Sequence, residues 1–295
     1  MAKTESPILS LERSSDRAEP VSTRLDTDGR ARVRIMGLVI AAVTEQEAVA
    51  KVVDAAVAGR GQWTITANLD HLRRYRCEPL ARRLLASADT VVADGAPLVW
   101  ASHIAGTPLP QRVAGADMIW SISDAARRRG VSILLLGGDA GVAERAATVL
   151  RNCFPEINIC GTLCPPHGFD EDERRIELVE ELVARMSPGI VLVALGFPKQ
   201  DVLIERLRQA LPSASLVGIG ISLSFVAGDV RRCPAWTAAL GLEWCHRLLQ
   251  EPRRLIHRYL VLGVPFAASL LGSAAWYRLR SRSPVGSHDC RWGHE

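Results

Sequence analysis

The sequence predicts an α/β fold, in which a Rossmann-like, mostly parallel sheet is covered by helices and followed by a helical C-terminal appendage. The chain of 295 residues is 48% hydrophobic but only 5% aromatic, which is typical of parallel strands buried between helices. From Val33 onward, short apolar runs alternate with longer segments of helical period, as in strand–helix–strand units with right-handed crossovers. From residue 234 to residue 280 the pattern is helical only.

The predicted strands are short apolar runs bounded by turn residues. They cover residues 33–39, 62–67, 90–93, 131–136, 157–161, 190–195 and 215–219. Helices are predicted at residues 44–58, 78–87, 97–104, 117–129, 140–153, 172–186 and 198–210. The segment 140–153 shows the helical period clearly, because its apolar side chains share one face and its charged side chains lie elsewhere.

Composition divides the chain into four parts. Residues 1–32 are polar and charged, without the apolar stretch of a signal peptide, which predicts a disordered tail. The α/β core is expected at 33–230, a basic amphipathic helical appendage at 231–280 and a second tail at 281–295. The seven cysteines are odd in number and form no CxxC pair, so they predict neither a disulfide framework nor a zinc site, and they favour reduced thiols in the cytoplasm.

Positive charge is concentrated in the appendage. The whole chain carries a net charge of +4, yet nine arginines face three acids between Asp229 and Arg282. Basic residues flank 260–276, an uncharged run at the lower length limit for a membrane-spanning helix. Together these features favour an anionic membrane surface over nucleic acid as a partner. A surface helix, a spanning helix and a core or oligomer helix are all compatible with this run.

The carboxyl ends of parallel strands meet at one edge of a sheet, where ligands bind in open α/β folds. Asn68, Asp94 and several glycines stand directly after predicted strands; the glycines are Gly137, Gly138, Gly196 and Gly220. Glycine lets the backbone approach an anion at a helix N-terminus. The GGDAG segment equally suits a tight turn with Asp139 as the N-cap. Neither GxGxxG nor a P-loop occurs, so no named nucleotide-binding motif applies.

Individual side chains each allow two interpretations. Asp94 either marks the start of a helix or is a chemical group at a strand end. Arg112 has the planar fork that clamps a diphosphate, while Asp117 is expected to cap the next helix. Gln200 either donates to a sugar or phosphate oxygen or faces solvent. The acidic run at 170–172 has the spacing of a metal-binding pair but is better explained as a solvated helix start, so no metal is predicted.

Several segments resemble, in order, the WecG/TagA/CpsF family of glycosyltransferases. They are TANLDH, VVADGAPLVW, GTPLPQRVAGADM, LLLGGDAGVAE, ALGFPKQD, AGDVRRCP and GLEWCHRLLQEPRRLIHRYL, within the stretch from Val33 to Tyr259. The resemblance implies an inverting enzyme of cell-surface polysaccharide synthesis that needs no metal or other cofactor. Such an enzyme transfers a hexose or an N-acetylhexosamine such as N-acetylmannosamine from a UDP-sugar to a polyprenyl-diphosphate-linked sugar. The resemblance also implies peripheral attachment to the cytoplasmic face of the cell membrane.

The resemblance assigns roles to individual residues. Asp94 matches the candidate base of the family. The positions that match substrate contacts are Thr66, Asn68, Arg112 and Gln200, and the nearest matches to appendage arginines that reach the diphosphate are Arg247, Arg254 and Arg258. The chain departs from the family at GIGISLSF, residues 218–225, where many members read GVGGSFDF. Ile221 and Ser224 at this edge leave the identity of the donor sugar open.

Two other functions suit a sheet of this kind. One is a nucleotide-dependent oxidoreductase, although no GxGxxG follows the first strand. The other is a non-catalytic, membrane-associated protein that holds a nucleotide. The expected partners are a UDP-sugar, the lipid-linked acceptor and the membrane surface, without nucleic acid, and a homo-oligomer is compatible with the sequence.

Overall fold

The computed structural model describes residues 21–25, 31–234, 237 and 241–282. Its strands are β1 (Val21–Leu25), β2 (Ala31–Ile35), β3 (Leu38–Ala41), β4 (Gln62–Ala67), β5 (Thr90–Ala93), β6 (Ile133–Gly137), β7 (Ile159–Leu163), β8 (Ile190–Ala194) and β9 (Ser215–Gly218). The helices of the core are α1 (Glu45–Val57), α2 (Leu69–Cys77), α3 (Pro79–Ser87), α4 (Ala96–Ala105), α5 (Gly115–Arg129), α6 (Val142–Cys153), α7 (Glu173–Met186), α8 (Lys199–Ala210) and α9 (Ser222–Ala227). The appendage contains α10 (Glu243–Gln250), α11 (Pro252–Ile256), a π-helix (His257–Gly263) and α12 (Val264–Arg282).

Strands β4 to β9 form a six-stranded sheet in the order β5–β4–β9–β8–β6–β7. All neighbouring strands are parallel, which confirms the predicted α/β fold. The central strands are almost entirely apolar because helices cover both of their faces. In β6, Ile133 and Leu135 join one buried layer while Leu134 and Leu136 join the other, as the two-residue period of a strand requires.

The first predicted strand, 33–39, was wrong. Residues 31–41 fold into the β2–β3 hairpin, which belongs to a separate three-stranded antiparallel sheet with β1. Met36 and Gly37 form its two-residue loop, and both have positive φ angles, of 46° and 95°, as in the tight turns that match strand twist. Gly37 is a turn signal, but Met36 is not a residue typical of such loops, so the pair was not recognised as a turn.

The N-terminal boundary also differs from the prediction. Residues 21–25 and 31–32, which the composition assigned to a disordered tail, form β1 and the start of β2. Residues 1–20 and 283–295 lie outside the described residues, and so does most of the tail predicted at 281–295. Two helices were missed, α2 and α9. Each is short, and α2 is rich in charged residues, so neither produces a clear apolar period.

The appendage is helical, as predicted, but its last helix is not amphipathic. Leu270 and Ala274 are buried against the core, chiefly where α12 packs on α4, whereas Val264, Trp276 and Leu279 are exposed. Apolar side chains therefore lie on both faces of α12. One continuous helical stretch, His257–Arg280, is long and apolar enough to cross a membrane by length and composition alone, and only 11% of its most apolar 18 residues are buried.

Candidate active site

Asp94 stands at the carboxyl edge of the sheet, directly after β5. Its backbone N–H donates to the carbonyl of Ala67 at 2.8 Å, which ties it to the end of β4. A Cβ added at Gly95 would lie 3.2 Å from the Cα of Asn68, so glycine permits the close approach of these two strand ends. Asp94 and Asn68 therefore lie side by side.

The Asp94 side chain does not cap a helix. The N-cap of α4 is Gly95, and no side chain hydrogen-bonds to its free N–H groups. The carboxyl group instead lies near the backbone N–H of Gly115, at the N-terminus of α5, and within the electrostatic reach of Arg112. Of the two interpretations from the sequence, the structure supports a group presented at the strand end.

The surroundings of Asp94 raise its pKa to about 7. Burial is the largest cause, because removal from water disfavours the charged carboxylate. Arg112 and the Gly115 N–H lower the pKa, whereas Glu243 and Asp117 raise it. The carboxyl group therefore changes between its neutral and ionised forms near neutral pH, and a pKa in this range suits a general base.

Arg112 lies in an ion-pair network that joins the core to the appendage. Its Nη1 donates to Oε2 of Glu243 at 2.8 Å, and its Nη2 is 3.6 Å from Oδ2 of Asp117. Asp117 also pairs with Arg232, at 2.6 Å. Asp117 is therefore not the N-cap that the sequence suggested: α5 begins at Gly115, and Asp117 lies in its first turn.

Thr66 lies at the same edge but already has a hydrogen-bond partner. Its buried hydroxyl donates to the carbonyl of Gly218 at 2.9 Å and so links β4 to β9. A Cβ added at Gly115 would be 3.3 Å from Thr66 Oγ1 and 3.1 Å from the Cα of Ile219. This close packing places the N-terminus of α5 against the strand ends.

Asn68 is the N-cap of α2. Its Oδ1 accepts from the backbone N–H groups of Asp70 and His71, at 3.0 and 3.3 Å. The cap occupies the amide oxygen, so the amide nitrogen is the part of this side chain left to contact a substrate. Burial lowers the pKa of His71 to about 4, and the ring lies 4.6 Å from that of Phe197.

Gln200 holds two glycine turns together. It is buried, and its Oε1 accepts from the N–H groups of Gly196 at 3.2 Å and of Gly220 at 3.1 Å. Both glycines have positive φ angles, and a Cβ added at either would meet no atom within 4 Å. Gln200 does not face solvent, and the space above these two turns is open.

The turn at Gly137 and Gly138 lies farther from Asp94. Four strand spacings separate β5 from β6 in the sheet, or about 19 Å along the edge. A Cβ at Gly137 would come within 2.4 Å of the carbonyl of Ala194, which explains this glycine by packing. Asp139 does not cap α6, whose N-cap is Gly141.

The appendage arginines differ in their contacts. Arg258 pairs with Asp70 at 3.0 Å, which brings its guanidinium to the helix that Asn68 caps. Arg247 lies 3.9 Å from Glu251. The backbone of Arg254 belongs to α11, but its side chain lies outside the part that the structure describes.

The acidic run at 170–172 forms a helix start. Asp172 caps α7 by accepting from the backbone N–H of Arg174 at 3.0 Å, and Asp170 pairs with Lys199 at 2.8 Å. Among the residues that the structure describes, no group of three or more histidine, cysteine or acidic side chains is arranged to hold a metal ion.

Three functional candidates were missed from the sequence. Glu243 and Arg232 fall inside segments that were singled out, GLEWCHR and AGDVRRCP, but their partners lie far along the chain. Asp201 follows Gln200 in GFPKQD and is fully buried. Its position on the buried face of α8 could have been read from the helical period, since Ile204 and Leu207 follow at spacings of three and six.

Comparison with known proteins identifies the family of the chain. The model of the glycosyl transferase WecG/TagA/CpsF family matches residues 33–281. A Bacillus spizizenii relative is 32% identical over 195 residues, which is 66% of this chain and 74% of the relative. A Bacillus subtilis relative is 32% identical over 171 residues, which is 58% of this chain and 64% of the relative. Both are named N-acetylglucosaminyldiphosphoundecaprenol N-acetyl-beta-D-mannosaminyltransferase.

Proposed function

The chain belongs to the WecG/TagA/CpsF family of glycosyl transferases, and from that premise we propose the reaction that it catalyses. It transfers an N-acetylmannosamine-like sugar from a UDP-sugar to a polyprenyl-diphosphate-linked N-acetylglucosamine, with inversion at the anomeric carbon and without a metal. The acceptor follows the names of the two relatives. Membership of a glycosyltransferase family sets aside the oxidoreductase and non-catalytic alternatives.

The observation that carries the proposal is the carboxyl group of Asp94 beside Arg112 and the N-terminus of α5. In the proposed step, an acceptor hydroxyl oxygen attacks the anomeric carbon while Asp94 takes its proton. The bond from that carbon to the UDP oxygen breaks, and its electron pair leaves with UDP. A base with a pKa near the working pH combines a useful ionised fraction with a useful proton affinity.

The leaving diphosphate needs positive charge as its bond to the sugar breaks. Arg112 lies within the electrostatic reach of Asp94, and Arg258 pairs with Asp70 on the helix that Asn68 caps. Both are paired with carboxylates, but a guanidinium has five N–H donors, so each arginine can keep its carboxylate partner and still donate to a diphosphate. Preorganised cations of this kind can supply the stabilisation that a metal supplies in other transferases.

The open space above Gly196 and Gly220 is the proposed seat of part of the donor. These turns follow β8 and β9, and β9 lies next to β4 in the sheet. A side chain at either glycine would project into free space. Glycine would let a ribose or sugar ring approach the backbone closely. Gln200 then acts indirectly, by fixing the two turns.

The membrane surface is proposed as the place where the enzyme meets its lipid-linked acceptor. Trp100 and Ile104 are exposed apolar side chains on α4. The helical stretch His257–Arg280 packs against α4 and has exposed apolar side chains of its own at Leu260, Val261 and Val264. Arginines lie before and after that stretch. An exposed apolar surface beside cations suits an anionic leaflet at the cytoplasmic face.

The catalytic proposal is tested with Asp94→Asn, assayed for UDP release and product formation with a synthetic lipid-diphosphate N-acetylglucosamine acceptor. The variant is expected to lose at least about 100-fold in kcat, the low end for removing a general base, while UDP binding by calorimetry stays near wild type. Asp54→Asn, at an exposed carboxylate on α1, is the matched control. Activity of Asp94→Asn within a few-fold of wild type would exclude Asp94 as the base, and loss of activity in EDTA would exclude the metal-free reaction.

Membrane attachment is tested without deleting the appendage, because Leu270 and Ala274 are buried against the core. Val261 and Val264 are both changed to Asp, and vesicle flotation is measured with anionic lipids. The double variant is expected to stay with the soluble fraction. Leu178→Asp makes the same chemical change at an exposed position on α7 and should float as wild type. Equal flotation of all three proteins would contradict the proposed surface.

A further inference from the structure

The core and the appendage are in contact at the candidate active site. Glu243, the first residue of α10, accepts from Nη1 of Arg112 at 2.8 Å. About 20% of each side chain is exposed, so the pair is shielded from most of the surrounding water. Charge-assisted hydrogen bonds of this length are among the stronger ones in proteins.

A second pair reinforces the first. Arg232 of the appendage lies 2.6 Å from Asp117 of α5, and Asp117 in turn lies 3.6 Å from Arg112. The core and the appendage thus each contribute one acid and one base to an alternating network of four charges. Removing one member of such a partly buried network leaves its partners without compensation.

We propose that Glu243 is a positioning residue, whose carboxylate holds the Arg112 guanidinium beside Asp94 and so makes the docked appendage part of the catalytic arrangement. The inference rests on the proposed function for the role of Asp94 as the base. It assigns Glu243 no contact with the substrate. Its effect passes through Arg112, which pairs with Glu243 and lies within the electrostatic reach of Asp94.

The electrostatic consequence has a definite sign. The groups that face Asp94 are Arg112, Glu243, Asp117 and the N–H of Gly115, and among them Glu243 and Asp117 raise its pKa. Replacing Glu243 with glutamine removes one negative charge and also frees Arg112 to approach Asp94. Both changes favour the ionised carboxylate, so the pKa of Asp94 should fall.

The experiment compares full-length wild type with Glu243→Gln. The pH dependence of kcat/KM is measured with the lipid acceptor, and the Asp94 carboxyl is titrated by ¹³C NMR, with its resonance assigned from its loss in Asp94→Asn. We expect the acid limb of the profile and the NMR titration to move together to lower pH by about one unit, the low end for a nearby charge. We also expect kcat to fall more than KM rises, because Arg112 loses its fixed orientation.

Two further variants separate positioning from folding. Glu243→Asp keeps the negative charge but places it one methylene farther from Arg112. Its pH profile should be close to that of wild type, with the pKa of Asp94 lowered less than in Glu243→Gln. Glu205→Gln removes one partner of the Glu205–Arg83 pair between α8 and α3 and should leave the profile unmoved. If Glu243→Gln does not fold, the shift in Glu243→Asp is the measurement that decides.

The outcomes distinguish the inference from the function on which it rests. If the pKa of Asp94 from the NMR titration is the same in Glu243→Gln as in wild type, the inference is overturned, whatever the effect on the rate. If only Glu243→Asp folds, the same criterion applies to that variant. A titration that moves while the acid limb of kcat/KM stays supports the coupling through Arg112 and overturns Asp94 as the base. Movement of both supports the inference and the proposed function together.

Discussion

The buried carboxyl group of Asp201 leads to a prediction about stability. Asp201 lies on α8 and is fully buried, and a Cβ added at Gly218 of β9 would be 3.5 Å from its Oδ1. Neither carboxyl oxygen has a hydrogen bond of good geometry, and neither does Nε1 of Trp63. Burial raises the pKa of Asp201 to about 7, although Gln200 and Trp63 are close enough to lower it. The change to test is Asp201→Asn, which has almost the same shape and no charge.

The sign follows from the two states of the chain. At pH values below the ordinary pKa of 3.8, Asp201 is protonated in both states and contributes no pH dependence. Between about pH 4 and pH 7 it ionises in the unfolded chain but not in the folded protein, so the free energy of unfolding falls as the pH rises. Above about pH 7 the loss is complete. A shift of about three units corresponds to about 4 kcal/mol.

Asparagine does not titrate, so the variant should lack this slope. The difference in unfolding free energy between the variant and wild type is measured at each pH. This difference is expected to be up to about 4 kcal/mol more favourable to Asp201→Asn at pH 8 than at pH 4. The measurement is equilibrium urea denaturation by far-UV circular dichroism at four pH values across this range. Asp94 adds its own pH dependence, but it is present in both proteins and cancels in the difference.

The control is a change at an exposed carboxylate. Asp54→Asn, at an exposed carboxylate paired with Arg129, should change the slope little, because an exposed ion pair contributes little to stability. Parallel curves for wild type and Asp201→Asn between pH 4 and pH 8 would refute the reasoning. They would mean that Asp201 ionises in the folded protein as readily as it does in the unfolded chain.

Three further predictions concern the sheet edge. The kcat/KM of the wild-type enzyme should rise about tenfold per pH unit below about pH 7 and level off above it, because only ionised Asp94 accepts the proton; a flat profile in initial-rate assays would contradict this. Asn68→Ala should cost about 1 kcal/mol in urea denaturation through loss of the α2 cap, and Asn68→Ser much less; equal losses would argue against the cap. Gly137→Ala should lower the thermal midpoint more than Gly196→Ala, since both φ angles are positive but only the Gly137 Cβ meets backbone, 2.4 Å from the Ala194 oxygen; equal midpoints would count against the packing argument.

The parallel sheet was predictable because its signals are local. Runs such as IVLVA in β8 are apolar at every position, and turn residues bound them within a few positions along the chain. The same local reading placed Asn68 and Asp94 at strand ends, and parallel strands necessarily bring those ends to one edge. The β2–β3 hairpin was missed because only two residues separate its strands, and the pair Met36–Gly37 is not one of the pairs typical of a hairpin loop.

The fold class, the strand ends and the residues that resemble a known transferase could be predicted from the chain, since each depends on neighbours within a few positions. The environment of those residues depends on tertiary packing. Arg112 and Glu243 are 131 positions apart, and nothing local in the chain specifies that they meet. The raised pKa values of Asp94 and Asp201 likewise arise from desolvation, which is a property of packing and not of sequence spacing. The identity of the catalytic carboxyl can thus be proposed from the chain, while its proton affinity is set by what folds around it.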